Sequence, residues 1–472
     1  MDGSSQASFG AVNFGAVDLG DVRRTQRLVS LVDNMCRHPG GTLPEKLSIP
    51  ADLRAFYRLM DCSAVTHQVL MDAHTANTRR KMAEQSRAQP GTVFLLLHDA
   101  TELDYTSKLS MAAELGQIGQ GTHRGYICHN SLVVRADTKA VVGLSSQILH
   151  HRADVPKGET DKQRRERENR ESRLWVQGAA RSGPAPTGAL CVDISDSLSD
   201  TFEYMAFEES QQRLFVLRSR ENRSLVEPCR GQWYVQDAAR KLPSRAAYEM
   251  HVQGSPQRKE RDATVQVAFA QVKIKAPLLR SGEYTQKLLA LWVIRVWEKK
   301  TPPGEEPLEW MLLTNVPVLK IADALQRVRW YERRPIVEEY HKGMKTGCGI
   351  ERMQFTRLPR LEPAIAIVSA MTTTLLQLRD AARQADADTR PATEVVDAEY
   401  VTVLVGHYHK RLPSRPTVLQ FYMHVARLGG HQNRKCDGFP GWLTLWRGWM
   451  KLEAMVDGHR AAHRGMKKCG RT

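Results

Sequence analysis

Apolar residues recur along this chain in two rhythms, one helical and one extended, and the switch between them divides it. In DVRRTQRLVSLVDNM, Leu28, Val29, Val32 and Met35 share one side of a helical turn capped by Asp21, with Arg23, Arg24 and Arg27 on the other. The break HPGGTLP leads to a second helix, PADLRAFYRLM, and a third runs through TRRKMAEQ. Residues 1–85 are therefore expected to form a helical N-terminal domain.

Extended segments follow: VFLLLHD (93–99), YICHNSLVVRAD (126–137), AVVGLSSQIL (140–149), GALCVDISD (188–196) and RLFVLRSR (213–220). Their unbroken apolar runs predict strands covered on both faces, and a helix opening at DTFEYM makes the layer α/β. Between about 221 and 310 the pattern turns to alternation, as in AAYEMHV and TVQVAF, with a basic tip GSPQRKERD between them. That texture predicts a β-rich insertion into the α/β layer. WMLLTN (310–315) returns to the sheet, helices begin near 319, and ADADTRPATE (385–394) is a polar linker. The central domain is thus read as 86–384, followed by a helical C-terminal domain, 385–472, with Trp442, Trp446 and Trp449 along one helical side. Trp spacing of this kind points to core or dimer contact.

Composition narrows the function. Against 52 Asp+Glu stand 68 Lys+Arg, a net charge of +16 over 472 residues, which points to a polyanionic partner. Arg23, Arg24 and Arg27 then either dock DNA through a helix-turn-helix-like pair or form a solvated face. The eight cysteines contain no CxxC pair, so neither a zinc site nor a disulfide framework is indicated, and a reduced, cytoplasmic setting is expected. No signal-peptide pattern opens the chain. LLALWVIRVW (288–297) and AIAIVSAMTTTLLQL (364–378) read as core rather than membrane spans, because they are short or carry Arg, Ser and Thr.

One stretch, YERRPIVEEYHKGMKTG, concentrates chemistry. Tyr331, Arg334, Glu338, Lys342 and Lys345 fall within about 80° of one another on a helical wheel, and Glu339 lies ~100° from Glu338. Taken alone, the pattern is also that of a charge-paired surface helix. The spacing Y-x2-R-x3-E-x6-K, followed by TGCGIER, resembles the signature of the IS-four family of DDE transposases. LGDVRRTQRL, HDATELDY, DSLSDTFEY, FVLRSR, PLEWMLLTN and LGG with a later W-x3-W-x2-W extend the resemblance from end to end.

The resemblance implies a ribonuclease-H-like catalytic domain, a mixed sheet flanked by helices, with two aspartates at strand ends and one glutamate on a later helix. These would hold two Mg2+ ions, or Mn2+ in their place. Asp99, ending VFLLLH, takes the first position and Glu338 the last. CVDISDSLSD offers Asp193, Asp196 and Asp200 for the middle one. Asp193 ends the apolar strand, but the family's D-x3-D-x3-Y spacing falls on Asp196, Asp200 and Tyr204, so Asp196 is the choice. Ser197 stands where the family usually has arginine.

By the same resemblance Arg334, Lys342, Lys345 and Arg218 hold DNA phosphates, Tyr331 gives them a hydroxyl, and Trp310 stacks on a base flipped from the transposon end. Pro335 replaces a second base-contacting tryptophan, and should start the helix and bias Arg334 away from helical backbone. The implied function is cut-and-paste transposition: binding of terminal inverted repeats, cleavage through a hairpin, and joining to target DNA by a synaptic homodimer, with no membrane and no nucleotide cofactor. A catalytically inactive DNA-binding derivative that inhibits transposition, or a simple metal-dependent nuclease, are the alternatives.

Overall fold

The computed structural model describes residues 8–469 apart from 154–157, 168, 253–258, 279–283, 286 and 435–436. Most of the basic tip expected at 254–262 therefore lies outside the described residues. A twelve-stranded mixed sheet runs through the molecule. Its strands are β1 (Val93–Asp104), β2 (Gly116–Gln117), β3 (Arg124–Arg135), β4 (Val141–His150), β5 (Leu190–Ser195), β6 (Leu214–Arg218), β7 (Ser224–Cys229), β8 (Gln232–Tyr234), β9 (Ala246–Val252), β10 (Arg261–Lys275), β11 (Leu288–Glu298) and β12 (Glu309–Thr314). The spatial order is β2-β3-β1-β5-β6-β12-β11-β10-β7-β8, with β4 on β3 and β9 on β10.

β1, β3 and β4 pair antiparallel, whereas β5 and β6 run parallel to β1. Parallel neighbours need a covered crossover, which the helices Leu174–Ser182 and Phe202–Ser210 supply. β1 is buried without interruption from Phe94 to Asp99, as its apolar run predicts for a strand covered on both faces. One face buries Leu95, Leu97, Val192 and Ile194 against the N-terminal helices and Leu358–Ala381. The opposite face carries Phe215 and Leu217, packed with Trp175 and Tyr204.

Leu358–Ala381 is long and apolar enough to cross a membrane by length and composition. Ala364, Ile365, Ala366, Ile367 and Val368 on it are fully buried, so it packs as a core helix. In the N-terminal helix Val22–Arg37 the buried positions are Thr25, Leu28, Leu31, Val32 and Met35. Leu31 thus takes the place expected for Val29, which is only half-buried, because the packed stripe is rotated toward the neighbouring helix.

At the far end of the chain, Ala398–Tyr408, Val418–Leu428 and Trp442–Cys469 enclose a separate core. Trp449 stacks on Tyr400 at 5.1 Å. Trp442 and Trp446 instead face Leu375, Leu376 and Gly343. Gly429 and Gly448 let two of these helices touch backbone to backbone: a Cβ on Gly448 would sit 1.7 Å from the Val425 carbonyl oxygen.

Lys46 ties the N-terminal helices to the sheet domain. Its buried ammonium donates to the carbonyls of Pro39, Gly41 (2.6 Å) and Cys348 (3.1 Å), matching three protons to three acceptors. Burial brings its pKa down to about 8. Arg352 adds a bond to the Gly40 carbonyl at 2.9 Å. Lys46→Met strands three carbonyls at once and should cost about 3 kcal/mol in urea unfolding; a loss within experimental error would show the anchor to be dispensable.

Candidate active site

The parallel register of β1 on β5 builds the first half of the site. Paired positions run from Val93↔Leu190 to His98↔Ser195, so the next residues along each strand, Asp99 and Asp196, emerge side by side. Asp99 does not end its strand as expected. β1 continues to Asp104 in antiparallel pairing with β3, and it is the partnership with β5 that ends at His98. Asp196 caps a short turn, its carboxylate accepting from Leu198 N at 3.1 Å.

Side-chain alternation separates the two candidate aspartates. Asp193 lies three residues before Asp196 and so points to the other face. There it is 1% exposed, bonded to His98 Nε2 at 2.6 Å and to Arg213 at 2.8 Å. Desolvation opposes its charge, but Arg213 and His98 outweigh it and hold the pKa below the usual value. Arg213 also reaches the buried Glu208 at 3.4 Å. Asp193 is thus engaged in a structural ion cluster.

The third carboxylate arrives on the helix Pro335–Lys342, which begins at the proline as expected. Arg334 nevertheless takes helical backbone, at φ −52° and ψ −40°, contrary to the bias expected before proline. The reason lies in a continuous turn, in which Arg334 N bonds Tyr331 O at 2.9 Å and Val337 N bonds Arg334 O at 3.1 Å. The two successive glutamates then diverge. Glu338 meets Arg334, while Glu339 pairs with the buried Arg379 and holds the helix against the core.

Arg334 is the hub. Its guanidinium contacts Glu338, lies 3.2 Å from Asp99 Oδ2 and stands 3.7 Å from Asp196 Oδ2. Asp99, raised first by burial and then by the charges of Asp196 and Glu338 against the pull of Arg334, has a pKa of about 7. Asp196 is raised too, chiefly by burial. Arg334 is pushed up: burial opposes its charge, and the surrounding anions, Asp99 foremost, more than compensate. Among the described residues no three acidic, His or Cys side chains already form a direct ligating array; the guanidinium stands between these three. The donor set is nonetheless carboxylate oxygen throughout, clustered on a positive charge, which is the chemistry a hard divalent cation selects.

His341, one helical turn beyond Glu338, went unnoticed in the sequence. Its Nε2 accepts from Asn130 Nδ2 at 3.1 Å, which leaves the proton on Nδ1, 3.8 Å from Asp99 Oδ2. Gln147 fixes the Asn130 amide in turn, at 2.7 Å. Burial, reinforced by Lys345 and Arg334, lowers the His341 pKa to about 3, so it is neutral. The i,i+3 spacing from Glu338 was the available signal.

A cleft of about 930 Å³ opens beside Glu338, lined by Arg218, Trp310, Tyr331 and Arg334 among others. Trp310 meets Tyr331 edge to face at 5.1 Å, and Tyr331 is 5% exposed, its pKa raised by burial to about 12. Arg218 is exposed at the end of β6. Lys342 is also exposed, whereas Lys345 sits in a π-helical turn, Gly343–Gly347, and turns to Glu351 at 3.5 Å. Of the N-terminal arginines, Arg27 pairs with Asp52 at 2.8 Å and Arg24 bonds the Leu19 carbonyl at 3.0 Å. Arg23 pairs with Asp21 at 3.1 Å but keeps 85% of its side chain exposed.

Residues 6–65 match the family described as transposase DNA-binding. Among solved structures, a cryo-EM structure of a piggyBac transposase synaptic complex with hairpin DNA is 10% identical, with a TM-score of 0.32. That alignment takes in 71% of this chain and 54% of that one, so this chain spans about half of that protein's length. The likeness is too distant to carry function. The family match thus covers the N-terminal helices, and the remainder of the chain builds a mixed α/β framework.

Asp99 also predicts a stability trend. Its folded pKa of about 7 lies above the ordinary 3.8, so its contribution is fully present below about pH 4 and lost as pH rises through 7. In chelator-treated protein, Asp99→Asn should raise the melting midpoint by a few degrees at about pH 8, on the order of 1–2 kcal/mol, with the gap to wild type closing toward pH 5. An unchanged or lower midpoint at the higher pH contradicts this reading.

Proposed function

We propose that this protein is a cut-and-paste DNA transposase of the DDE type, resembling the IS-four family. The observation that carries the proposal is the convergence of Asp99, Asp196 and Glu338, from three separate elements, on one guanidinium beside a cleft that also carries Arg218 and Trp310. Surface ion pairs bring together two charges; gathering three acids costs stability and is expected where function demands it. The order β4-β3-β1-β5-β6, antiparallel and then parallel, supports the ribonuclease-H-like reading of the central domain. The match over residues 6–65 supports DNA-end binding by the N-terminal helices.

On this reading Asp99, Asp196 and Glu338 would hold Mg2+ or Mn2+, which supplies an activated water and a counter-charge for the leaving 3′ oxygen. Arg334 already spans several carboxylate oxygens, and its fork suits bidentate contact with the scissile phosphate. Neutral His341, fixed by Asn130, stands behind Asp99 with its Nδ1 3.8 Å from the carboxylate. Arg218 steadies the strand alongside, and exposed Lys342 adds positive charge at the end of the helix. Trp310, braced by Tyr331, offers an aromatic face to a base displaced from the transposon end.

Hydrolysis of one strand frees a 3′ hydroxyl. That hydroxyl attacks the opposite strand and closes a hairpin, water reopens it, and the same hydroxyl joins target DNA. Each step exchanges one phosphorus–oxygen bond for another, so the sequence needs neither a covalent enzyme intermediate nor a nucleotide cofactor. Synapsis of two ends calls for a homodimer, with the C-terminal helices as its seat.

Purified protein incubated with end-bearing DNA and Mg2+ or Mn2+ should give nicked, hairpin and joined products. Bound but uncut DNA would instead mark an inactive derivative, and cleavage without joining a simple nuclease. Asp196→Asn should remove strand cleavage by at least about a hundredfold while end binding persists; activity retained there but lost in a folded Asp193→Asn protein would move the middle ligand. Trp310→Ala should slow hairpin closure more than the first nick, and equal slowing of both would return Trp310 to a packing role.

A further inference from the structure

Past Glu338 the cleft does not end. It continues into a second hollow of about 500 Å³, and the two share Lys139, Arg333 and Arg383 in their walls. Acids line these walls as well, but each has a partner. Glu339 and Asp380 pair with Arg379, Asp137 pairs with Arg135, and Glu332 accepts from the Tyr248 hydroxyl. Lys139, Arg333 and Arg383 are in the opposite position. Among the described residues none of the three makes an ion pair, and Arg333 Nε is buried with no hydrogen-bond partner. Arg383 lies over the Phe439 ring, at 5.4 Å, and its charge is felt by Asp380, which is already paired with Arg379. They are close enough to repel: burial first, then the charges of Arg333 and Arg383, lower the Lys139 pKa, and Glu332 is the nearby anion that opposes this at both Lys139 and Arg333.

The backbone adds an independent observation. Lys139 closes the hairpin between β3 and β4 at φ 63°, in the left-handed region that favours glycine or asparagine. A lysine held there, in a turn suited to glycine, presents its charge to the cleft against both local conformational preference and the repulsion of two arginines. A polyanion relieves that repulsion, and the free guanidinium of Arg333 suits a phosphate oxygen.

We propose that Lys139, Arg333 and Arg383 form a phosphate track that seats a DNA backbone leaving the acidic centre, on the side away from Trp310. The proposal rests on the transposase reading and names where its substrate runs. These side chains contact phosphates, so the track is indifferent to base sequence.

The test measures DNA affinity of the full-length protein against salt concentration, with a random-sequence duplex and the matching single strand as probes. Arg333→Gln combined with Arg383→Gln should lower the salt slope by about 1.8 on the duplex or about 1.4 on the single strand, and whichever probe shows the loss identifies the strand form held. A charge-matched control, Lys162→Gln with Arg164→Gln on an exposed helix, should leave the slope unchanged. Lys139→Gly separates charge from folding: it should weaken binding while keeping or raising the melting midpoint, because glycine suits the turn. Slopes like wild type in the double variant, on both probes, overturn the track. If such a variant's parent still cuts end-bearing DNA, only the track fails; a parent that neither binds nor cuts overturns the transposase reading beneath it.

Discussion

Three carboxylates will not crowd into one partly buried site unless a cation shares it with them, and that constraint organises this molecule. The guanidinium of Arg334 meets it, lying within 3.2 Å of Asp99 and 3.7 Å of Asp196 while also holding Glu338. Compensation is incomplete, as the Asp99 pKa of about 7 records. The fold keeps the strained arrangement by supporting it from several directions. Parallel pairing sets Asp99 beside Asp196, Glu339 clamps its helix to Arg379, and His341 backs Asp99 from a buried amide network.

The sheet separates two kinds of acid by face. Asp193, opposite Leu96, turns to the side where Arg213 and His98 neutralise it within a dry cluster. Asp196, an odd number of positions later, turns to the side the glutamate helix covers, and keeps 18% of its side chain exposed. One serves the core and the other stays partly open to solvent. The long mixed sheet then extends the surface: β12 carries Trp310 into the cleft beside the acids, two strands away from β5.

Much of this could be read in the chain. The continuous apolar runs of β1, β3 and β5 announce strands buried on both faces, and the capped arginine-bearing helix at Asp21 is where the sequence places it. The offset between Glu338 and Glu339 separates their partners correctly, because a helix turns ~100° per residue. Parity along β5 would have told Asp196 from Asp193 had the strand's register been known, but register is a tertiary fact. The helical backbone of Arg334 before Pro335 and the loss of Lys345 to Glu351 were also hidden, since each depends on how the local turns close, a continuous turn through Arg334 and a π-helical turn at Gly343–Gly347. His341 escaped for a related reason: its partner Asn130 lies 211 residues away.

The central claim is that Asp99, Asp196 and Glu338 form one cation site that Arg334 guards. Anomalous scattering from crystals soaked in Mn2+ tests it most directly. The account predicts manganese peaks within about 2.2 Å of oxygens from all three carboxylates, with the Arg334 side chain displaced from their midst. Manganese elsewhere, or peaks that touch Asp193 while Asp196 stays free, would contradict it.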